Sequence, residues 1–533
     1  MYNNYTPLQQ RQLALQEYSN TQSTYLLVYA PARSTALKAT LTDQLHRKFR
    51  LVDRLGGELT ASVDGVLLAA EDVELMSTAL MYFAKALQDG ADYAVCNAVF
   101  GFGGATALYQ SQPLQAQNRC AVVSRTLLER CRAAAHDPEN VPELLALAAQ
   151  LCTKPTLIPQ ALLHYERGIC AEDAFSAHGK RAFIMSHVLD MTGAPIVLVS
   201  AVPVLCSMGY EVLVLGPSDG GSLHLFLDAG ASVITRSSCR NVSDAWGMAL
   251  CADFVIANTV VMARAVRALS GTAVPVLWWL HDAFAGYPHI AHQIPTQLGE
   301  NVRVYSVGSH AANAMRAVRP EFEIRPLIYG LPDYAAENFI RTDLGYNRGR
   351  PLFATVGSFE RRKGHDIFCK AIRLLPPEVR EKASFLFVGQ AADKEMMDSV
   401  RALTADYPEN VYYCKRLTRD EIKSLMEQCT GLVCASRDDP MPTFVTEGLI
   451  FGKPSIVSEH TGTAGLISEG RNGFVYHNDD PQQLAVLLEH AIEHPEELAS
   501  MRTECRKMYE QYYSKEAFEQ TLRAAVEDLT AKK

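Results

Sequence analysis

The sequence has no excess of basic charge: 50 Lys and Arg stand against 59 Asp and Glu, a formal net charge of −9. Neutralising a phosphate backbone requires the opposite balance, so nucleic acid is not an expected partner. The 13 cysteines form no C-x-x-C pair and no Cys/His cluster at metal-ligand spacing. No metal site is therefore expected, and an odd number of scattered cysteines fits the reduced thiols of a cytoplasm. The opening stretch, MYNNYTPLQQRQ, lacks a basic segment followed by an apolar run, so no secretory signal is expected. No apolar tract is long and clean enough to span a bilayer. The longest, residues 193–216, carries Pro195, Pro203 and Glu211 and reads as a helix followed by a strand. Peripheral membrane contact through a surface patch stays open. Internal repeats, heptad series and low-complexity tracts are absent as well.

What is present is a globular composition, 48% apolar and 20% charged, in 533 residues. At roughly 150 residues per domain, that length predicts three or four folding units. From residue 193 onward, short β-branched or aromatic runs alternate with amphipathic helical stretches, as in parallel sheets covered by helices on both faces. Strands are expected at residues 211–215, 254–257, 274–280, 302–307, 352–356, 385–388, 411–414, 431–435 and 454–457. Most are short and continuously apolar, as strands buried on both faces are. The turn-rich Tyr329-Gly330-Leu331-Pro332-Asp333 separates two doubly wound halves. Such halves place a ligand cleft at the carboxyl ends of their strands. Residues 495–533 read as helical and are expected to cross back over the first half. Residues 24–172 have a different rhythm: a strand over 24–29, a helix over 34–49, a strand over 65–69, a helix over 73–87 and a strand over 93–97. The cluster Gly101-Phe102-Gly103-Gly104 that follows lacks G-x-G-x-x-G spacing and reads as a loop. The expected division is 1–175, 176–335 and 336–533.

Residues 433–473 (VCASRDDPMPTFVTEGLIFGKPSIVSEHTGTAGLISEGRNG) concentrate the chemistry. A strand ends at Ser436, an acidic loop follows, and Pro442 suits the first position of a helix, where its missing N–H costs nothing. The free amides around Thr443, Phe444 and Val445 then point at the cleft, and a helix N-terminus attracts phosphate. Asp439 in the loop and Glu447 in the helix can both accept hydrogen bonds from ligand hydroxyls. On spacing alone these features are ordinary. An acid before a helix is often only a cap, the basic run ERRKG is usually a solvated face, and a lone His281 after a buried strand is more often structural.

The wider pattern is more specific. Asp439-x7-Glu447 followed by GKPSIV, TGTAGLI and RNGFVY resembles the E-x7-E region of family 4 glycosyltransferases of the GT-B fold. Residues 356–372 (VGSFERRKGHDIFCKAI) are similar to the first strand, loop and helix of that family's donor domain. FLFVGQ and RLTRDEI sit where it has its next strand and the loop beside the base. SHVLDMTGAPIVL, MGYEVLVLGPSDGG, IANTV, WWLHDAFAGY and IYGLPD are similar to its acceptor domain, so the likeness covers about residues 180–525. It implies an α/β fold of two doubly wound Rossmann-like domains facing across a cleft. It also implies that Glu447 binds the ribose hydroxyls of a nucleotide sugar, Asp439 the hydroxyls of the transferred sugar, and Lys363 the diphosphate, beside Gly357 and Ser358. His281 matches the histidine that contacts the donor sugar, and Thr192, Gly193 and Ala194 match the loop that approaches the distal phosphate and the acceptor. Two positions depart from the family. Ser358 stands where it usually has arginine, leaving Arg361 or Arg362 to supply the cation, and Asp439 replaces a glutamate, one methylene shorter. The likeness further implies transfer with retention, within a tight ion pair, with no metal and no cofactor beyond the nucleotide-sugar substrate. The physics agrees with it: charge that develops on a leaving diphosphate without a metal needs fixed cations and aimed amides.

The N-terminal unit carries a second likeness. TYLLVYAPARSTALKATLTDQLHRKF, GVLLAAEDVEL, CAVVSRTLLERC and LIPQALLHYERG are similar, in order, to segments of family 2 glycosyltransferases of the GT-A fold. That family holds its metal-diphosphate through D-x-D after a strand. Here the stretch is Leu68-Ala69-Ala70-Glu71-Asp72, so Ala69 takes the first acidic place and one arm of the clamp is missing. This implies a degenerate domain used for docking or acceptor positioning. The expectation is a cytoplasmic transferase, with the inner face of the membrane left open, that moves sugar onto a glycan or lipid-linked glycan in surface polysaccharide synthesis. Two alternatives stand beside it: a non-catalytic nucleotide-sugar-binding scaffold for a partner transferase, and sugar-nucleotide epimerisation on the same two-domain fold.

Overall fold

A computed structural model describes residues 23–29, 35–41, 44–55, 59–70, 73–76, 78–101, 106–110, 119–166, 179–218, 220–236 and 248–531. Packing divides the chain into two compact units, Met1–Ile256 and Ala257–Lys533, with the border inside the strand Phe254–Asn258.

In the first unit, Lys180–Met185, Tyr210–Gly216 and Ser232–Arg236 are parallel neighbours. Ser232–Arg236 then pairs antiparallel with Thr106–Gln110, which carries the sheet into the N-terminal strands. From there it continues through Tyr93–Gly101, Cys120–Ser124, Gly65–Ala69 and Leu26–Tyr29 to Phe49–Val52. Val66, Leu68, Val123, Leu128 and Leu144 pack together beneath it.

Two helices expected here are shorter than their sequence pattern. Among the described residues of 34–49 the helix is Thr35–Thr40, and Phe49 opens the strand Phe49–Val52, paired with Leu26. Between them Gln44 donates to the Met76 carbonyl at 2.9 Å and accepts from the Leu80 amide at 3.1 Å. Such side-chain to backbone bonds compete with a continuing helix. Within 73–87, Glu74–Leu75 pairs antiparallel with Pro155–Glu166, so the helix starts only at Ala79. Phe102, Gly103, Gly104, Glu71 and Asp72 lie outside the described residues.

In the second unit, Val276–Leu280, Val302–Ser306 and Ile324–Pro326 form a parallel ladder. A separate six-stranded parallel sheet runs Val411–Cys414, Ser384–Val388, Leu352–Val356, Gly431–Cys434, Ser455–Ser458, Gly473–Tyr476. Its strands are largely buried, and Phe353, Phe368, Phe385, Val433, Leu484 and Leu488 lie in its core. The last helix, Lys515–Thr530, returns to the first ladder: Phe518 stacks on Trp279 with ring centroids 5.8 Å apart, and Arg325 pairs with Asp528 at 2.8 Å. Among the described residues no helix is long and apolar enough to cross a membrane.

Candidate functional site

The strand Leu352–Val356 ends in a loop that leads into the helix His365–Leu374. Gly364 closes the loop at φ +66°, and a Cβ there would lie 1.8 Å from the Ala435 carbonyl oxygen, so conformation and space both demand glycine. That close approach sets the loop on the end of Gly431–Cys434. Arg437 then ties it down. Its amide donates to the Arg362 carbonyl at 2.7 Å, and its guanidinium donates to the Arg361 carbonyl at 2.8 Å. The same guanidinium makes a two-pronged pair with Asp366, 2.8 Å on each arm, and reaches Asp479 at 2.9 Å. Burial alone raises the Asp366 pKa, but the hydrogen bond and charge of Arg437 outweigh it and hold the carboxyl below its ordinary range.

So held, Lys363 Nζ donates to Asp439 Oδ2 at 2.5 Å. Asp439 is 3% exposed. Its carboxylate also accepts from the Met441 amide at 3.3 Å and Ser436 Oγ at 3.4 Å. Its backbone is fixed too, the amide donating to the His460 carbonyl and the carbonyl accepting from Gly462. The neighbouring cations differ in their commitments. Ser358 Oγ and Arg362 Nε both donate to Glu360, the latter at 2.8 Å, and this keeps Glu360 ionised below its ordinary range despite its burial. Arg361 is exposed, and among the described residues no carboxylate pairs with it.

The helix Thr443–Ile450 starts one residue later than expected, with Pro442 as its cap. The Pro442 carbonyl accepts from the amides of Val445 and Thr446, at 3.1 and 3.4 Å, so Val445 is already engaged and Thr443 and Phe444 open the helix. Glu447 Oε1 accepts from Arg419 Nη1 at 2.7 Å, and the Arg419 guanidinium lies 4.2 Å from the centre of the Tyr334 ring. Sequence reasoning missed Arg419 and Tyr334. The signal for Arg419 was the L-T-R-D-E segment, where Thr418 and Glu421 form a capping box that fixes Arg419 in the first turn of the helix Arg419–Gln428.

His281 follows the buried strand Val276–Leu280, its ring tilted against Trp279 at 4.7 Å. The next residue, Asp282, accepts from the Val260 amide at 2.6 Å, and burial pushes its pKa up to about 6 against the lowering effect of that amide and of His281's. Just beyond, the amides of Phe284 and Ala285 donate to Asp438, the neighbour of Asp439, at 3.1 and 2.7 Å. This joins the His281 segment to the loop that holds Lys363. Gly357 follows the strand Leu352–Val356, its carbonyl closely packed against Gly389. Thr192, Gly193 and Ala194 belong to the first unit, where Thr192 caps the helix Gly193–Ser207 and donates to Asp190 through its amide and hydroxyl. Among the described residues no three His, Cys, Asp or Glu side chains converge as a metal site requires.

A carboxylate paired to a lysine, beside the open end of a helix that carries a second carboxylate, is an arrangement known families can be compared with. The family described as Glycosyl-transferase family 4 matches residues 178–318, and Glycosyl transferases group 1 matches residues 336–508. The chain carries the two domains of a GT-B glycosyltransferase. Neither match includes residues 1–177. An uncharacterized glycosyltransferase of Methanocaldococcus jannaschii is 25% identical to this chain over 194 residues, 36% of this chain and 53% of that protein. Spore coat protein SA of Bacillus subtilis is 26% identical over 160 residues, 28% of this chain and 41% of the relative. The chain thus spans about half the length, or less, of these curated relatives. Among solved structures, Anabaena HepE in complex with UDP aligns with a TM-score of 0.55 at 19% identity, over 66% of this chain and all of HepE. Its complex with UDP-glucose aligns at 0.54 and 16%, over the same shares. These likenesses establish the fold.

Proposed function

We propose that the chain transfers a sugar from a nucleotide sugar, with retention at the anomeric carbon, to a glycan or lipid-linked glycan in surface polysaccharide synthesis, working on the cytoplasmic side of a membrane. The observation that carries this reading is the Lys363–Asp439 pair at 2.5 Å, with Asp439 in the loop that leads into the helix Thr443–Ile450, which carries Glu447. As the bond to the diphosphate breaks, negative charge grows on the leaving oxygens and positive charge on the anomeric carbon. The Lys363 ammonium and the amides of Thr443 and Phe444 suit the first. Asp439 suits the sugar hydroxyls, Glu447 the ribose hydroxyls, and His281 the donor sugar. The complexes of HepE with UDP and with UDP-glucose support a nucleotide-sugar donor.

One observation favours a second reading as a binding scaffold. With Ser358 in the arginine position and Arg362 committed to Glu360, the diphosphate has one fixed cation fewer, and Arg361 is left to replace it. For residues 1–175 we propose a degenerate GT-A-like docking domain, supported by the parallel strands Phe49–Val52, Leu26–Tyr29 and Gly65–Ala69 followed by the antiparallel Cys120–Ser124. The deciding experiment incubates purified protein with a panel of nucleotide sugars and follows product mass and anomeric configuration by NMR. The transferase reading expects turnover with retention, reduced about 100-fold or more by Lys363→Ala or Glu447→Ala in folded protein. Nucleotide binding without turnover across the panel would favour the scaffold, and an altered donor sugar without transfer would favour epimerisation.

A further inference from the structure

Asp438 has no part in the chemistry above, yet its carboxylate is the meeting point of three chain segments. It accepts from the amides of Phe284 and Ala285, at 3.1 and 2.7 Å, and from His310 Nε2 at 2.7 Å. Phe284 and Ala285 begin the short helical turn Phe284–Gly286, so their amides have no partner within that turn, and Asp438 caps it from 153 residues away. His310 sits in the first turn of the helix Ser309–Arg316 and is 5% exposed. Its ring centroid lies 5.1 Å from that of Phe284 and 5.6 Å from that of His460. The His460 carbonyl in turn accepts from the Asp439 amide.

Glycines make this junction close. A Cβ on Gly308 would lie 2.7 Å from Met441 Cε and 3.3 Å from the Gly462 carbonyl oxygen, and one on Gly465 would lie 2.8 Å from Ser309 Oγ. The start of the histidine helix is therefore seated on the two loops that carry Asp439 and His460. The segment fixed by Asp438 begins three residues after His281, and Asp439 is the next residue in the chain.

We propose that Asp438, with His310, is a positioning residue for sugar transfer, holding the His281 segment on the donor loop so that His281 and the Lys363–Asp439 pair address the same donor sugar. The proposal rests on the transferase reading above. Its physical basis is that misplacing a reacting group by about 1 Å can cost about 100-fold in rate while leaving remote binding contacts intact. In Asp438→Asn, only one of the two terminal atoms can still accept, so either the bond from Ala285 or those from Phe284 and His310 are replaced by opposed donors.

The test compares wild type with Asp438→Asn, His310→Ala and His310→Gln. Three quantities are read: amide hydrogen exchange at Phe284 and Ala285, affinity for UDP by calorimetry, and kcat and KM for the donor that wild type turns over. Expected are faster exchange at both amides and a kcat about 100-fold lower in Asp438→Asn and His310→Ala, with UDP affinity and donor KM within about twofold of wild type. His310→Gln keeps a donor near the Nε2 position and is expected to recover most of kcat. Unchanged exchange and unchanged kcat would overturn the proposal. So would UDP affinity falling in parallel with kcat, or His310→Gln failing as badly as His310→Ala. If Asp438→Asn does not fold, the two His310 variants decide. A wild type that turns over no donor overturns the transferase reading and the catalytic half of this proposal, while exchange at Phe284 and Ala285 still decides whether Asp438 holds the segment.

Discussion

Arg437 sets the loop geometry, because one guanidinium holds Asp366, Asp479 and the backbone of Arg361 together. Arg437→Ala strips the Asp366 carboxylate, whose side chain is only 12% exposed, of its two-pronged partner and leaves it only Lys370, 3.6 Å away. Losing one partner of such a pair is expected to cost about 3–5 kcal/mol, read as a lower midpoint in denaturant. His365 offers a test of acid stability. It is 2% exposed, and burial lowers its pKa from 6.5 to about 3, helped by the nearby Lys363 charge. A folded pKa below the unfolded one gives stability that is complete above pH 6.5 and is lost as the pH falls toward 3, since only the unfolded chain takes up the proton. The thermal midpoint of wild type should therefore drop more steeply from pH 6.5 to 4 than that of His365→Asn, and parallel pH curves would refute this. Lys363, Asp439 and Glu447 could be named as candidates from the sequence because ordered motifs carry them, the first two in loops and Glu447 in the helix Thr443–Ile450. Arg419, His310 and Asp438 were not, since what gives each its role lies elsewhere in the chain: Asp438 meets His310 across 128 residues and Phe284 across 154.

Strands of the second unit were the most legible elements. Leu352–Val356 and Val411–Cys414 have the bounds their apolar runs predict; the first is buried along almost its whole length, and a strand buried on both faces writes its length directly into the sequence. The strand Glu74–Leu75 and the early end of the helix Thr35–Thr40 were not, because pairing with Pro155–Glu166 and the side-chain bonds of Gln44 override local helical pattern. Gly364 carries an element-scale prediction. Gly364→Ala forces a Cβ against the Ala435 carbonyl and a left-handed backbone on a side chain, and should destabilise the protein by more than about 1 kcal/mol while displacing Lys363. The returning helix supplies another. Phe518 is 2% exposed and stacked on Trp279, so Phe518→Ala should cost about 3–5 kcal/mol and alter tryptophan fluorescence. An unchanged midpoint and spectrum would mean that this helix does not secure the ladder below it.

Across the whole chain, the α/β class and the two GT-B domains could be read from the order of motifs. What could not be read is that the N-terminal strands and the strands of residues 180–236 share one sheet, through the antiparallel pairing of Thr106–Gln110 with Ser232–Arg236. That pairing joins segments more than a hundred residues apart, and no local pattern announces it. The central claim, that the loops carrying Lys363 and Asp439 and the helix carrying Glu447 form one nucleotide-diphosphate site, makes a prediction for the intact protein. A ligand bound only by the native state at 100 times its Kd raises stability by about 2.7 kcal/mol. The most direct measurement is calorimetric titration of UDP, GDP and ADP into wild type, Lys363→Ala and Glu447→Ala, each first shown to be folded. The account predicts that wild type binds at least one nucleotide and that both variants bind it at least tenfold more weakly. Equal affinity in all three proteins would contradict it.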